Sequence, residues 1–199
     1  MKLQLSKRDE FRKLAKNQGY RSRSAFKLKQ INASYGIFKK GNIVVDIGCS
    51  PGGWLQIARN EVGHNGKVIG IDLKKIEPID GVIFLNGNIE DKVIKENLNQ
   101  LTNSRVDVIL SDISPNLSGQ WEFDHARQIL LTKSVIDLTK KIAKRNSKGI
   151  FKVFDGDMLN DLIIELRDIF EKVIISKPLA SRPASSELYL VCLNFIGKS

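Results

Sequence analysis

From residue 42 onward, short apolar runs alternate with amphipathic stretches, and this alternation restricts the chain more than any other feature. The runs are NIVVDI (42–47), KVIGID (67–72), GVIFL (81–85), VDVILSD (106–112), GIFKVF (149–154), KVIISK (172–177) and ELYLVCLNF (187–195). Runs so short and so rarely interrupted suit strands covered on both faces. Helical periodicity lies between them, over about 52–62, 90–101, 124–144 and 157–170. Repeated β-α order predicts an α/β fold with a doubly wound, mostly parallel, seven-stranded sheet. Only PLASRPASS separates the last two strands. That is too short for a helical crossover, so the last strand is expected to be antiparallel.

With 199 residues the chain has room for one core of useful size. Its charge is unevenly placed. Residues 1–40 hold 12 Lys/Arg against 2 Asp/Glu, which is the whole +10 excess; the remaining 20 basic and 20 acidic residues cancel. Residues 1–40 therefore read as a basic helical arm and 41–199 as the sheet domain, with a boundary near Lys39–Gly41. Phe11, Leu14 and Ala15 share one helical face of the arm, and Leu28, Ile31 and Tyr35 another. Between them YRSRSAF mixes arginine with aromatic residues, after an interruption at Gly19. A basic arm on a neutral body fits nucleic acid; a solvated lysine-rich face is the blander reading. No apolar run nears the ~18 residues of a membrane span, and the charged start lacks the apolar core of a signal peptide. Cys49, Cys192, His64 and His125 are isolated, so no metal site is expected. A cytoplasmic protein with reduced thiols, most simply a monomer, is the expectation.

In open α/β sheets ligands lie at the carboxyl ends of the strands. The first such end is VVDIGCSPGGW (44–54). Ser50 suits an N-cap and Pro51 the first helical position. Gly48, Gly52 and Gly53 leave backbone where a ligand could touch it. A dinucleotide does not fit, because G-x-G-x-x-G is absent and Asp46 would repel a pyrophosphate. A positively charged ligand reverses that sign. S-adenosylmethionine, with its sulfonium and ammonium groups, suits a carboxylate beside the pocket, and its own carboxylate suits the helix start. Asp72 ends the second strand, where an acid can accept hydrogen bonds from ribose hydroxyls.

Four further residues are candidates for chemistry. Lys152 sits inside the apolar strand GIFKVF, Asp112 ends the strand in ILSDISPN, Glu187 begins the last strand, and Lys27 lies in SRSAFKL. Lysine is seldom buried without a partner, although a snorkelling side chain would also explain Lys152. Each residue alone is a weak signal.

Together, SRSAFKL, DIGCSPGGW, SDISPN, FKVFDG and SRPASSELYLV follow the order and spacing of the RrmJ/FtsJ family, which the chain resembles from about residue 20 to its end. That resemblance implies a Rossmann-like, S-adenosylmethionine-dependent ribose 2′-O-methyltransferase acting on RNA. It places a Lys-Asp-Lys-Glu tetrad on Lys27, Asp112, Lys152 and Glu187. It places the cofactor on Gly52, Gly53, Trp54, Asp72 and Asp112. Near the adenine, where the family usually has an acid, this sequence offers Asn88. The implied substrate is a uridine in the A-loop of large-subunit ribosomal RNA, free or within an assembled subunit. Transfer RNA anticodon loops, mRNA caps and a non-catalytic RNA-binding role are the alternatives.

The implied reaction is in-line attack of a ribose 2′-hydroxyl on the sulfonium methyl. Lys152 is the candidate base. An ordinary lysine, with a pKa of about 10.4, is neutral only about once in several thousand at pH 7. If it stays charged, Lys152 would instead stabilise the developing alkoxide. Asp112 and Glu187 are expected to orient the lysines and the substrate. Arginines and lysines of the arm, Arg21 and Arg23 among them, are expected on RNA phosphates. Tyr20 or Phe26 could stack on a base, with core packing the other role for Phe26.

Overall fold

The computed structural model of the chain describes residues 2–182 and 184–197, with backbone alone over 2–9. Helices α1 (Lys2–Asn17) and α2 (Ser24–Tyr35) precede the alternating part. There follow β1 (Ile43–Ile47), α3 (Gly53–Val62), β2 (Lys67–Asp72), β3 (Val82–Asn86), α4 (Lys92–Thr102) and β4 (Val106–Ser111). The chain then runs through α5 (Trp121–Ile142), β5 (Ala143–Phe154), α6 (Leu159–Arg167), β6 (Phe170–Ser176) and β7 (Glu187–Phe195).

The seven strands form one sheet in the order β3-β2-β1-β4-β5-β7-β6. The strands from β3 to β5 are parallel, and β7 runs antiparallel to both β5 and β6. The short β6–β7 link thus forces the reversal that its length predicts. The chain winds outward from β1 to β3, then returns to lay β4 on the other side of β1. This reversal of direction opens a crevice outside the carboxyl ends of β1 and β4.

Two apolar cores cover the two faces of the sheet. On one, Ile94 and Leu98 of α4, Ile129 and Val135 of α5, and Leu162 and Leu166 of α6 pack on Val45, Ile69 and Phe151. On the other, Leu28 and Ile31 of α2 and Leu55 and Ala58 of α3 pack on Val44, Val68 and Ile150. Helix α2 is therefore built into the body. Helix α1 docks through a smaller cluster, in which Ala15, Phe26 and Ala180 meet Phe11 and Tyr20.

Element ends depart from the periodicity where side chains or turns decide them. Helix α5 starts at Trp121 and gives way to β5 at Ala143, which pairs with Val106 across a register shift. Strand β5 thus begins before the apolar run that marks it in the sequence, because Ala143 already pairs with Val106; pairing resumes at Lys148 once Asn146 has taken a left-handed turn (φ 65°). Helix α6 is shorter than its apolar pattern, since Phe170 already belongs to β6. Among the described residues no helix is long and apolar enough to cross a membrane, and no His/Cys/Asp/Glu cluster could hold a metal.

Candidate active site

Gly48 closes β1 with φ 73°, and its N–H donates to Ile71 O at 2.9 Å. A Cβ there would lie 2.9 Å from Ile113 Cα. Glycine is required because the loops after β1 and β4 touch at this point. The turn that follows differs from the expected N-cap. Gly52 N–H donates to Cys49 O at 2.7 Å and Ser50 N–H to Asp72 Oδ2 at 2.8 Å. Residues 49–52 thus form a turn of their own, and the helix begins at Gly53 behind Gly52, not at Pro51 behind Ser50.

The basic arm is fastened to this turn. Arg21 N–H donates to Gln56 Oε1 (2.9 Å), Gln56 Nε2 to Gly19 O (2.9 Å) and Trp54 Nε1 to Ser24 O (2.8 Å). The Arg21 guanidinium donates to the carbonyls of Glu77 (2.5 Å), Pro78 (2.7 Å) and Pro51 (3.4 Å). A side chain on Gly53 would meet Ser22 Oγ at 2.3 Å. Arg21 is therefore a clamp between the arm, the glycine turn and the loop after β2. Its phosphate role, expected from charge alone, competes with three carbonyl oxygens.

Asp46 lies in mid-β1, fully buried, and neither carboxylate oxygen has a hydrogen-bond partner. Burial, reinforced by Asp112 and then Asp72, raises its pKa well above the ordinary carboxylate range. Asp46, Asp72 and Asp112 lie close enough to repel one another, and among the described residues no ion pair holds Asp46. Burial without a partner disfavours the ionised carboxyl, and a positively charged ligand beside it would favour ionisation again. Asp72 accepts Ser50 N–H through one oxygen and Lys74 N–H through the other (2.8 Å each), each oxygen keeping a lone pair for a ribose hydroxyl. Asn88 sits in the turn before α4, where Oδ1 accepts Glu90 N–H at 3.1 Å. Trp54 is buried against Tyr189, so toward the crevice it offers backbone rather than ring.

The tetrad converges. Lys27, on α2, is buried, and its Nζ donates to Glu187 Oε2 (2.9 Å) and to the Tyr189 hydroxyl (3.0 Å). Tyr189 donates in turn to Asp112 Oδ1 at 3.1 Å. Lys152 Nζ donates to Asp112 O at 2.7 Å and lies 3.4 Å from Oδ1. Register explains the meeting: Lys152 pairs with Tyr189 and Phe154 with Glu187 across β5 and β7. Opposed residues share a face, and α2 crosses that face. Burial pushes the Glu187 carboxyl up, but Lys27 and then Lys152 outweigh it and hold the carboxyl below its usual range. Burial, then Asp112 and Glu187, push the Tyr189 phenol well above its usual value. It therefore stays a neutral hydroxyl that can both accept and donate.

Sequence reasoning passed over Tyr189 and Gln128. Tyr189 stands two positions after Glu187, the period-two spacing that puts both on one face of a strand. Gln128 Nε2 donates to Ile113 O (3.2 Å) and Lys152 O (3.0 Å), tying α5 to both strand ends of the site; nothing in the sequence separates it from other polar residues of that helix.

A crevice at the switch point bordered by Asp46, Asp72 and Asp112, next to a buried Lys-Asp-Lys-Glu cluster, is the setting of a methyltransferase that draws on a sulfonium donor. The chain belongs to the FtsJ-like methyltransferase family, whose model matches residues 20–195. The ribosomal RNA large subunit methyltransferase E of Nitrosopumilus maritimus is 43% identical over 197 residues, 99% of this chain and all of that one. Its namesake in Methanocaldococcus jannaschii is 44% identical over 200 residues, 96% of this chain and 80% of that one. A solved structure assigned as a ribosomal RNA methyltransferase of Plasmodium falciparum superposes with a TM-score of 0.81 at 33% identity, covering 90% of this chain and all of that one. The chain is thus an S-adenosylmethionine-dependent RNA methyltransferase acting on a ribose 2′-hydroxyl.

Proposed function

We propose that the chain methylates large-subunit ribosomal RNA, at a uridine of the A-loop, with the assembled subunit as substrate. The observation that carries this is the Lys27–Glu187 and Lys152–Asp112 cluster, joined by Tyr189, beside a basic arm in a chain whose full-length relatives bear ribosomal RNA methyltransferase names. The bound donor supplies an electrophilic methyl group. Asp72, the backbone of Gly52, Gly53 and Trp54, and Asn88 hold it, with Asp46 and Asp112 meeting its positive charge. Glu187 and Lys27 orient the ribose, and Lys152, deprotonated before the attack, would take the 2′-hydroxyl proton as the oxygen–methyl bond forms and the methyl–sulfur bond breaks, leaving S-adenosylhomocysteine. Holding two reactants in line contributes much of the rate.

The arm is the RNA-binding unit of this proposal. An open groove of about 770 Å³ is lined by Arg12, Lys13, Lys16, Tyr20, Arg23 and Arg182. Arg23 stands one helical turn before Lys27, so the groove leads to the tetrad. Phosphates held there would make binding salt-sensitive. Lys2, Lys7 and Arg8 have side chains outside the described residues. Two buried free cysteines, Cys49 and Cys192, suit a reducing cytoplasm and a monomer.

Labelled methyl donor is incubated with large subunits, naked ribosomal RNA, transfer RNA and capped RNA, and ribose methylation is then mapped. Label on one large-subunit uridine supports the proposal; label on transfer or capped RNA alone overturns it. Lys152→Ala should abolish transfer while cofactor affinity stays near wild type, and wild-type turnover would remove Lys152 from the reaction.

A further inference from the structure

We propose that Trp121 forms a stacking platform for an unpaired base of the RNA substrate, on the side of the tetrad opposite the basic groove. The platform stands at the start of α5, on the sheet's carboxyl edge. Trp121 is 47% exposed, and Met158, whose N–H meets the His125 ring that the indole stacks on, is 40% exposed; Phe123, two positions on, points to the other flank of the helix. A single exposed apolar residue is ordinary. An indole and a thioether exposed side by side at the mouth of an active site mark a binding surface.

The position follows from the strand register. The Trp121 ring lies 5.8 Å from that of Phe154, and Phe154 is the cross-strand partner of Glu187. One side chain therefore separates the indole from the tetrad carboxylate. Gln128, two helical turns along the same face, holds the backbone of Lys152 and Ile113. The platform and the reacting groups thus move as one body.

It is also rigid before anything binds. Trp121 is stacked on His125 at 21° and 5.9 Å, and His125 Nε2 accepts Met158 N–H at 3.3 Å. Asp124 accepts from Ser118 N–H and Oγ (2.8 Å each) and from Gly119 N–H (3.1 Å), which fixes the loop carrying Leu117. A preorganised aromatic face costs little to fill. The occupant is a base rather than an aliphatic side chain or a phosphate. The planar indole matches planar bases whatever their identity, and the neighbouring Glu122 would repel a phosphate. Unpaired RNA bases are recognised by stacking of this kind. Phosphates gripped on the α1 side and a base stacked on the α5 side would hold the intervening ribose at Lys152.

This inference rests on the RNA reading above, and one titration separates the two. Trp54 is 2% exposed, so of the chain's two tryptophans only Trp121 can meet a ligand from solvent. A twelve-residue oligouridine is titrated into the full chain while indole fluorescence is followed, and affinity for naked ribosomal RNA is measured in parallel. Quenching is expected, with RNA affinity about tenfold lower in Trp121→Ala, largely restored in Trp121→Phe, and unchanged in Phe123→Ala on the other flank of the helix. Affinity for S-adenosylmethionine should not change in any variant, which also shows that each one folds. No quenching, or equal RNA affinity in wild type and Trp121→Ala, overturns the platform. Quenching by oligouridine without methylation of any ribosomal RNA would sustain the platform and sink the substrate instead.

Discussion

The Tyr189 hydroxyl donates to Asp112 and accepts from Lys27, so one buried side chain joins the two ion pairs of the tetrad into a single network. Without it, Lys27–Glu187 and Lys152–Asp112 are separate pairs at 2.9 and 3.4 Å. Tyr189→Phe keeps the ring, its contact with Trp54 and its place under Lys27, but leaves two buried polar atoms a partner short. Such a loss costs about 1–3 kcal/mol. If the network positions the lysines, kcat falls about ten- to a hundredfold with KM nearly unchanged. Steady-state kinetics in both substrates check this, and an unaltered kcat would reduce Tyr189 to packing.

Glu187 links the site to acid stability. Its native pKa lies below the ordinary glutamate value. The stability it contributes is therefore fully present above about pH 4.3 and is lost as pH falls through the lower native value. Melting temperatures from pH 6 to 3 should fall more steeply in wild type than in Glu187→Gln.

Asp46 acts with the opposite sign. Its native pKa is raised, so its ionisation destabilises the cofactor-free protein as pH rises from about 3.9 toward the native value. Asp46→Asn should remove that slope from the same melting series. It should also weaken S-adenosylmethionine, measured by calorimetry, because the ligand's positive charge loses its counterpart. A variant that melts and binds as wild type does at every pH would show that the carboxyl is inert.

Arg21 distinguishes a clamp from a phosphate contact. Arg21→Lys keeps the charge but lacks the fork that reaches the carbonyls of both Glu77 and Pro78. The expected outcome is a lower melting temperature and weaker cofactor binding, with the salt slope of RNA affinity unchanged. Neutralising Lys16 and Arg12 in the groove should do the reverse, lowering the slope by about one per lost phosphate contact.

Asp72→Ala removes a candidate ribose acceptor and the anchor of Ser50 N–H together. The affinity for S-adenosylmethionine should drop about ten- to a hundredfold, while RNA binding measured by filter retention stays near wild type. Unchanged cofactor affinity would place the ribose elsewhere.

Local chemistry by itself determined the number of strands and their succession along the chain, the reversal of β7, the glycine turn, the concentration of positive charge in residues 1–40 and the identity of the lysines and acids worth testing. Period-two and period-3.6 burial and the short β6–β7 link act over a few residues, and a linear reading follows them. Tertiary structure alone decided that Lys27 meets Glu187 across 160 positions, that Tyr189 bridges to Asp112 across 77, and that Arg21 spends its guanidinium on backbone carbonyls of a loop more than 50 residues away. It also decided where α3 begins, since Ser50 is claimed by Asp72 from the next strand. Each of these depends on which strand lies beside which. That arrangement is set by burying both faces of the whole sheet at once, a constraint no local stretch of sequence contains.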